Sequence, residues 1–265
     1  METKDIIIAI LVAVVIFVLG YIFVGPGSEM VIDDSNGNDV IEEVNGDPEE
    51  EDEEEDEEVD PVLREIVSDY IGSPHDSDPL DDDENVYNNE AFNSTTLVLI
   101  SAADYHFPDD PEKGMEEIHY YPPGEVSYET RLHFSTYRNR ISEYFTDITL
   151  EVAEDLAQSK MITLNKDGED GRLLDIDWEE EIELHYVDLN DLTEVIPELP
   201  EVAGITFIVD GDEDIGLDVR GEGLLIDGDR LIRSSSSEGE VIEESILDFL
   251  EDQDYDAVNF FKINE

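Results

Sequence analysis

The chain has no cysteine and only 13 Lys and Arg in 265 residues. Without Cys there are no disulfides, no thiolate metal centre, no thiol nucleophile and no lipid-modified thiol. The scarcity of cations excludes a nucleic acid as direct partner of most of the surface, since phosphates are held by stripes of Lys and Arg. Also missing are the Gly-rich phosphate signatures. Neither Gly211 to Gly216 nor Gly221 to Gly223 fits G-x-G-x-x-G before a helix or a Walker sequence. No H-E-x-x-H occurs among the five histidines, no G-x-S-x-G surrounds any serine, and no fixed-period repeat is visible.

What the sequence has in excess is acid. Asp and Glu number 74, for a formal net charge of -61. Residues 25–60 hold 18 acidic residues and no basic one, ending in the unbroken run Glu49 to Glu58. Such a segment buries too little apolar surface to offset its conformational entropy, and its charges repel, so residues 25–60 are expected to be a disordered tether. The remaining 61–265 still carry 54 acidic against 12 basic residues, or -42. A compact domain of that charge repels itself at ordinary salt, whereas at about 1 M salt the screening length falls to about 3 Å. The composition resembles that of proteins from extreme halophiles and implies a molar-salt environment.

Ahead of the tether lies the one long apolar run, Ile6 to Val24, 19 residues without a charge. At about 1.5 Å per residue it spans roughly 28 Å, near the thickness of a bilayer core. Gly25-Pro26-Gly27 would stop the helix. The run exceeds a secretory h-region, and no A-x-A-like site follows it. Residues 1–24 therefore read as an uncleaved single-pass anchor. Lys4 lies before it, and no Lys or Arg follows until Arg64. The positive-inside bias then puts the N-terminus in the cytoplasm and the C-terminal part outside.

Residues 61–265 read as an α+β domain of largely antiparallel sheet covered by two or three helices, with a possible subdomain split near Leu199-Pro200. The sequence predicts a helix over Pro61 to Tyr70 and a loop over Gly72 to Ser94. Thr95 to Ala102 (TTLVLISA) reads as a covered strand and Thr136 to Ser159 as the longest helix, striped by Tyr137, Ile141, Tyr144, Phe145, Ile148 and Val152. Met161 to Leu164 and Leu173 to Trp178 are expected to form a hairpin, with Ile182 to Val187 another strand. Strands are further expected at Gly204 to Val209, Ile215 to Val219, Leu224 to Ile226 and Tyr255 to Ile263, with a tight turn at Asp227-Gly228 and a helix over Val241 to Leu250.

Four groups are candidates for chemistry. Asp210, Asp212 and Asp214 alternate on a Gly-containing loop, the arrangement by which carboxylates wrap a hard cation such as Ca²⁺. Counted from Asp210, positions six and twelve are Ile215 and Gly221, so the EF-hand pattern is not met. Ser101, Asp104 and His106 follow an expected strand, where loop residues often carry function. His119 and His133 flank Pro122-Pro123-Gly124 and would face each other on a hairpin as a metal pair. Tyr105, Phe107, Tyr120, Tyr121, Tyr128, Phe134 and Tyr137 form an aromatic cluster that is either core edge or a surface for a glycan or peptide. Asn93-Ser94-Thr95 is an N-glycosylation sequon.

Together these features lead to the expectation of a membrane-anchored, exported domain that binds an envelope protein or glycan without catalysis. The alternatives are a membrane-tethered hydrolase, metal-assisted through Asp210, Asp212 and Asp214 or using the Ser101 to His106 loop, and a bitopic subunit of a larger membrane complex.

Overall fold

A computed structural model describes residues 61–80, 86–168 and 171–265. The expected anchor and the acidic tether lie outside the described residues. Among those described, no helix is long and apolar enough to cross a membrane.

Eight strands form one sheet: β1 (Phe145–Asp147), β2 (Gln158–Leu164), β3 (Glu180–Asp188), β4 (Val202–Ile208), β5 (Gly221–Ile226), β6 (Arg230–Ser235), β7 (Glu240–Ser245) and β8 (Ala257–Ile263). Their order is β2-β3-β8-β4-β5-β6-β7, with β1 also paired to β8, and every pairing is antiparallel. The sheet crosses Leu199-Pro200 without a break, because β8 pairs with β3 on one side and with β4 on the other. Asp227 and Gly228 both have positive φ, 53° and 80°, within the three-residue turn of Asp227, Gly228 and Asp229 that joins β5 to β6.

Helices cover both faces. On one lie α1 (Pro61–Asp69), α2 (Ser94–His106) and α3 (Pro111–His119), packed on Leu224, Ile226, Ile232 and Phe261. On the other lie α5 (Thr149–Ala153), α6 (Leu192–Val195) and α7 (Ile246–Glu251), packed on Ile205, Phe207, Leu225, Leu231 and Phe260. The short α4 (Ser135–Ile141) leads into β1. A third cluster lies by β2 and β3, where Ile162, Leu164, Ile182 and Leu184 meet Phe134 and Val219. Strands covered on both faces lose the polar alternation of a half-buried strand. That is why Gly204 to Val209 carries apolar side chains on both faces, with Thr206 the one polar exception.

The α+β antiparallel architecture agrees with expectation, but several elements differ. Residues 95–102 are helix rather than strand. Asn93 caps α2 through a reciprocal pair: its Oδ1 accepts from the Thr96 N–H at 2.8 Å, and its own N–H donates to Thr96 Oγ1 at 2.9 Å. From Thr96 to Ala103 every residue is buried, so this part of α2 is covered on all sides. A short apolar run has no period that separates such a helix from a covered strand.

The helix expected over 136–159 is broken into α4, β1, α5 and the start of β2. Phe145, Ile148 and Val152 are buried as the stripe suggested, but Phe145 is in a strand paired with Ile263 of β8. Glu154, with φ 44°, ends α5. Leu173 to Trp178 is not a strand, and β2 pairs instead with β3. Ile215 to Val219 is not a strand: Ile215 ends a 3-10 turn over Asp212–Ile215, and Gly216 after it has φ 71° with the Lys166 backbone against it. The expected helix over 241–250 is β7 followed by α7, which Ser245 caps.

Candidate active site

A cleft of about 1150 Å³ opens where the N-terminus of α2 meets the start of β5, the end of β6 and α7. Ser94, the first residue of α2, lines it together with His75, Arg220, Arg233 and Ser234. Capping satisfies the Thr96 N–H, and the Leu97 N–H donates to Asn93 O at 3.1 Å. The Ser94 and Thr95 N–H groups have no acceptor inside the helix. Thirteen aligned residues with no acid in the first turn leave this end electropositive, a setting suited to a developing oxyanion.

His75 is placed by main-chain contacts. Its N–H donates to Gly239 O at 2.8 Å, and it bridges to Phe92 just before the cap of α2. Its Nδ1 lies 2.8 Å from Ser234 Oγ, and that hydroxyl donates to Phe92 O at 2.6 Å. With the Ser234 proton committed to a carbonyl, Ser234 accepts from Nδ1–H. The neutral ring then has its lone pair on Nε2, the tautomer a general base needs.

The cations of the cleft are fixed by acids. Arg220 forks onto Asp212, with Nη2 2.6 Å from Oδ1 and Nε bonded to Oδ2. Arg233 bonds Glu244 at 2.6 Å, and its guanidinium lies 4.3 Å from the centre of the Phe249 ring. Behind the cleft, Glu222 is buried and accepts from Arg138 and from Ser135 Oγ at 2.9 Å. Next to it Asp218 accepts from the Thr136 N–H and hydroxyl at 2.8 and 2.6 Å. Burial drives the Asp218 carboxyl above the usual range despite these bonds.

The sequence candidates fall elsewhere. Asp212 is 5% exposed and turned to Arg220, Asp210 faces Lys160 at 3.6 Å, and Asp214 is exposed. The structure does not gather the three carboxylates. Among the described residues, no group of three or more His, Cys, Asp or Glu could hold a metal ion. Ser101 is fully buried and donates to Leu97 O at 2.7 Å, one turn back along α2, so it is not a nucleophile. Asp104 is bonded by the hydroxyls of Tyr70 and Tyr87. His106 packs between Tyr105 and Tyr144. His119 is buried, and burial, with Arg131, Arg138 and His133 nearby, depresses its pKa well below the usual value. His133 Nε2 instead meets Tyr128 O at 2.8 Å.

Reasoning from sequence passed over Ser94 and His75. The signal present was Asn93 with Thr96 three residues on, ahead of an apolar run, which is a helix start. Read as a strand, that run hid the helix N-terminus. Nothing local to His75 marked it, since its partner Ser234 is 159 positions away.

A family model described as AmiA-like, N-acetylmuramoyl-L-alanine amidase-like, matches residues 66–257. Among solved structures, a protein from Legionella pneumophila superposes with a TM-score of 0.64 at 17% identity, over 77% of this chain and 89% of its own. An N-acetylmuramoyl-L-alanine amidase from Bacteroides uniformis superposes with a TM-score of 0.61 at 17% identity, over 77% and 99%. Among curated proteins none matches. The family match overturns the expectation of a non-enzymatic envelope binder and points to a cell-wall hydrolase-like domain. Composition sets the charge of a surface. Catalysis depends on a few side chains that folding brings together, so the acid excess held no information on it.

Proposed function

The chain belongs to the N-acetylmuramoyl-L-alanine amidase-like family, and from that premise we propose that it hydrolyses an amide bond of the cell-wall polymer, the one joining an N-acetylmuramoyl sugar to L-alanine. Family membership across residues 66–257 carries this reading. The chain has no thiol, so covalent catalysis needs an oxygen nucleophile. Ser94 is the nucleophile on this reading. His75 Nε2 takes the hydroxyl proton as Oγ attacks the amide carbon, and the oxyanion forms against the free N–H groups at the start of α2. The same imidazolium then protonates the departing amine. Water, deprotonated by His75, releases the acyl group and restores Ser94.

The apolar run at residues 6–24 supports a membrane-anchored setting with the amidase-like domain outside, held off the membrane by the acidic tether over 25–60. Protease added to intact cells is then expected to remove the domain.

The test is release of L-alanine amino groups from N-acetylmuramoyl-L-alanine by the full chain in 3 M KCl. Ser94→Ala is expected to lower the rate about a thousandfold or more with Tm unchanged, and His75→Ala comparably. No release by the wild-type chain overturns the reaction, and an undiminished rate in Ser94→Ala overturns the nucleophile.

A further inference from the structure

Away from the cleft, a depression of about 460 Å³ lies between the 121–137 segment and the 176–178 segment. Its walls are Tyr121, Phe134, Tyr137 and Trp178, and its rim includes Glu129 and Arg131. Trp178 stacks on Phe134, centroids 5.6 Å apart and planes at 30°, and meets Tyr137 at 4.9 Å. Phe134 is 2% exposed and backs the group, while Tyr121 is 58% exposed. The result is a rigid aromatic wall with polar groups at one side, the make-up of a small-ligand site.

We propose that this depression is a saccharide subsite that seats an N-acetylhexosamine ring of the glycan strand against Trp178 and Tyr121. The choice of glycan rests on the amidase reading above. A pyranose presents a flat C–H face that an aromatic ring covers and an edge of hydroxyls that a rim carboxylate such as Glu129 can bond. None of the residues named belongs to a strand, so no sheet edge is offered for an extended peptide to pair with.

Trp178 is the sole tryptophan, so intrinsic fluorescence reports on this site alone. The experiment titrates tri-N-acetylchitotriose into the full chain in 3 M KCl and follows Trp178 emission. A saturable change is expected, about tenfold weaker in Tyr121→Ala and retained in Tyr121→Phe, which keeps the ring. Ser94→Ala is expected to bind as wild type does, so binding without hydrolysis would leave this site standing while the proposed reaction fell. No saturable change, equal affinity in Tyr121→Ala, or saturation by an L-alanyl-D-glutamate peptide and not by the saccharide would overturn the assignment.

Discussion

Arg138 and Glu222 meet inside the protein with Nη2 and Oε2 2.8 Å apart and side chains 0% and 1% exposed. The guanidinium also bonds Asn139 Oδ1 and lies 4.7 Å from the centre of the Phe145 ring. The pair joins α4 to the start of β5, and Glu222 also lines the Ser94 cleft. Arg138→Met leaves a buried carboxylate without its cation and is expected to cost about 3–5 kcal/mol. Replacing Glu222 as well, in Arg138→Met with Glu222→Leu, is expected to recover part of that loss. Urea titration of the three chains measures both effects, and a double variant no better than the single one would show that the pair's attraction was not the main contribution.

Gly204 in β4 lies across from Phe261 of β8, and a Cβ at Gly204 would overlap the Phe261 ring. Both residues are in the core, and the ring packs over the strand in the space a side chain would take. Gly204→Ala is expected to destabilise by about 1–3 kcal/mol through overpacking. In Gly204→Ala with Phe261→Leu, the smaller side chain is expected to relieve the overlap. Thermal melts of both variants check it.

His119 gives a pH dependence of definite sign. Burial keeps its folded pKa well below 6.5, so the unfolded chain takes up a proton near pH 6.5 that the native chain refuses. Unfolding then binds protons, and stability falls as pH drops below about 6.5, with a slope of up to about 1.4 kcal/mol per pH unit. His106, also lowered by burial, contributes in the same window. Unfolding free energies at pH 7.5, 6.5 and 5.5 are expected to fall less steeply in His119→Leu than in wild type. Equal slopes would mean that His119 takes up its proton in the native state.

The charge of -42 over residues 61–265 predicts a strong salt response. The screening length is about 10 Å at 0.1 M and about 3 Å at 1 M, so repulsion among surface acids is damped far more at the higher salt. Tm and near-UV circular dichroism are expected to decline together on dialysis from 3 M to 0.1 M KCl and to return on reversal. The buried Arg138–Glu222 pair is shielded from salt, so the Arg138→Met loss should be similar at both concentrations.

Within the fold, the legible parts were those whose pattern is local. The Asp227-Gly228 turn, β3, β4 and β8 followed from turn residues and β-rich runs, and α1 from its Pro and helical spacing. The illegible parts were settled by partners far along the chain. Phe145 joins a strand because the edge of β8 offers it hydrogen bonds, although its neighbours carry a helical stripe. The Asp210 to Asp214 loop looked like a cation site because acids recur by chance in a chain this acidic. Arg220 occupies Asp212, and only the folded loop reveals that.

By itself the sequence determined the charge of the surface, the absence of thiol chemistry and the α+β class, because each follows from composition or short-range pattern. Tertiary structure alone decided that TTLVLISA is a buried helix, that its N-terminus opens beside His75, and that Trp178 and Tyr121 share a wall. Those juxtapositions are held by the packing of both sheet faces, and no local period encodes them.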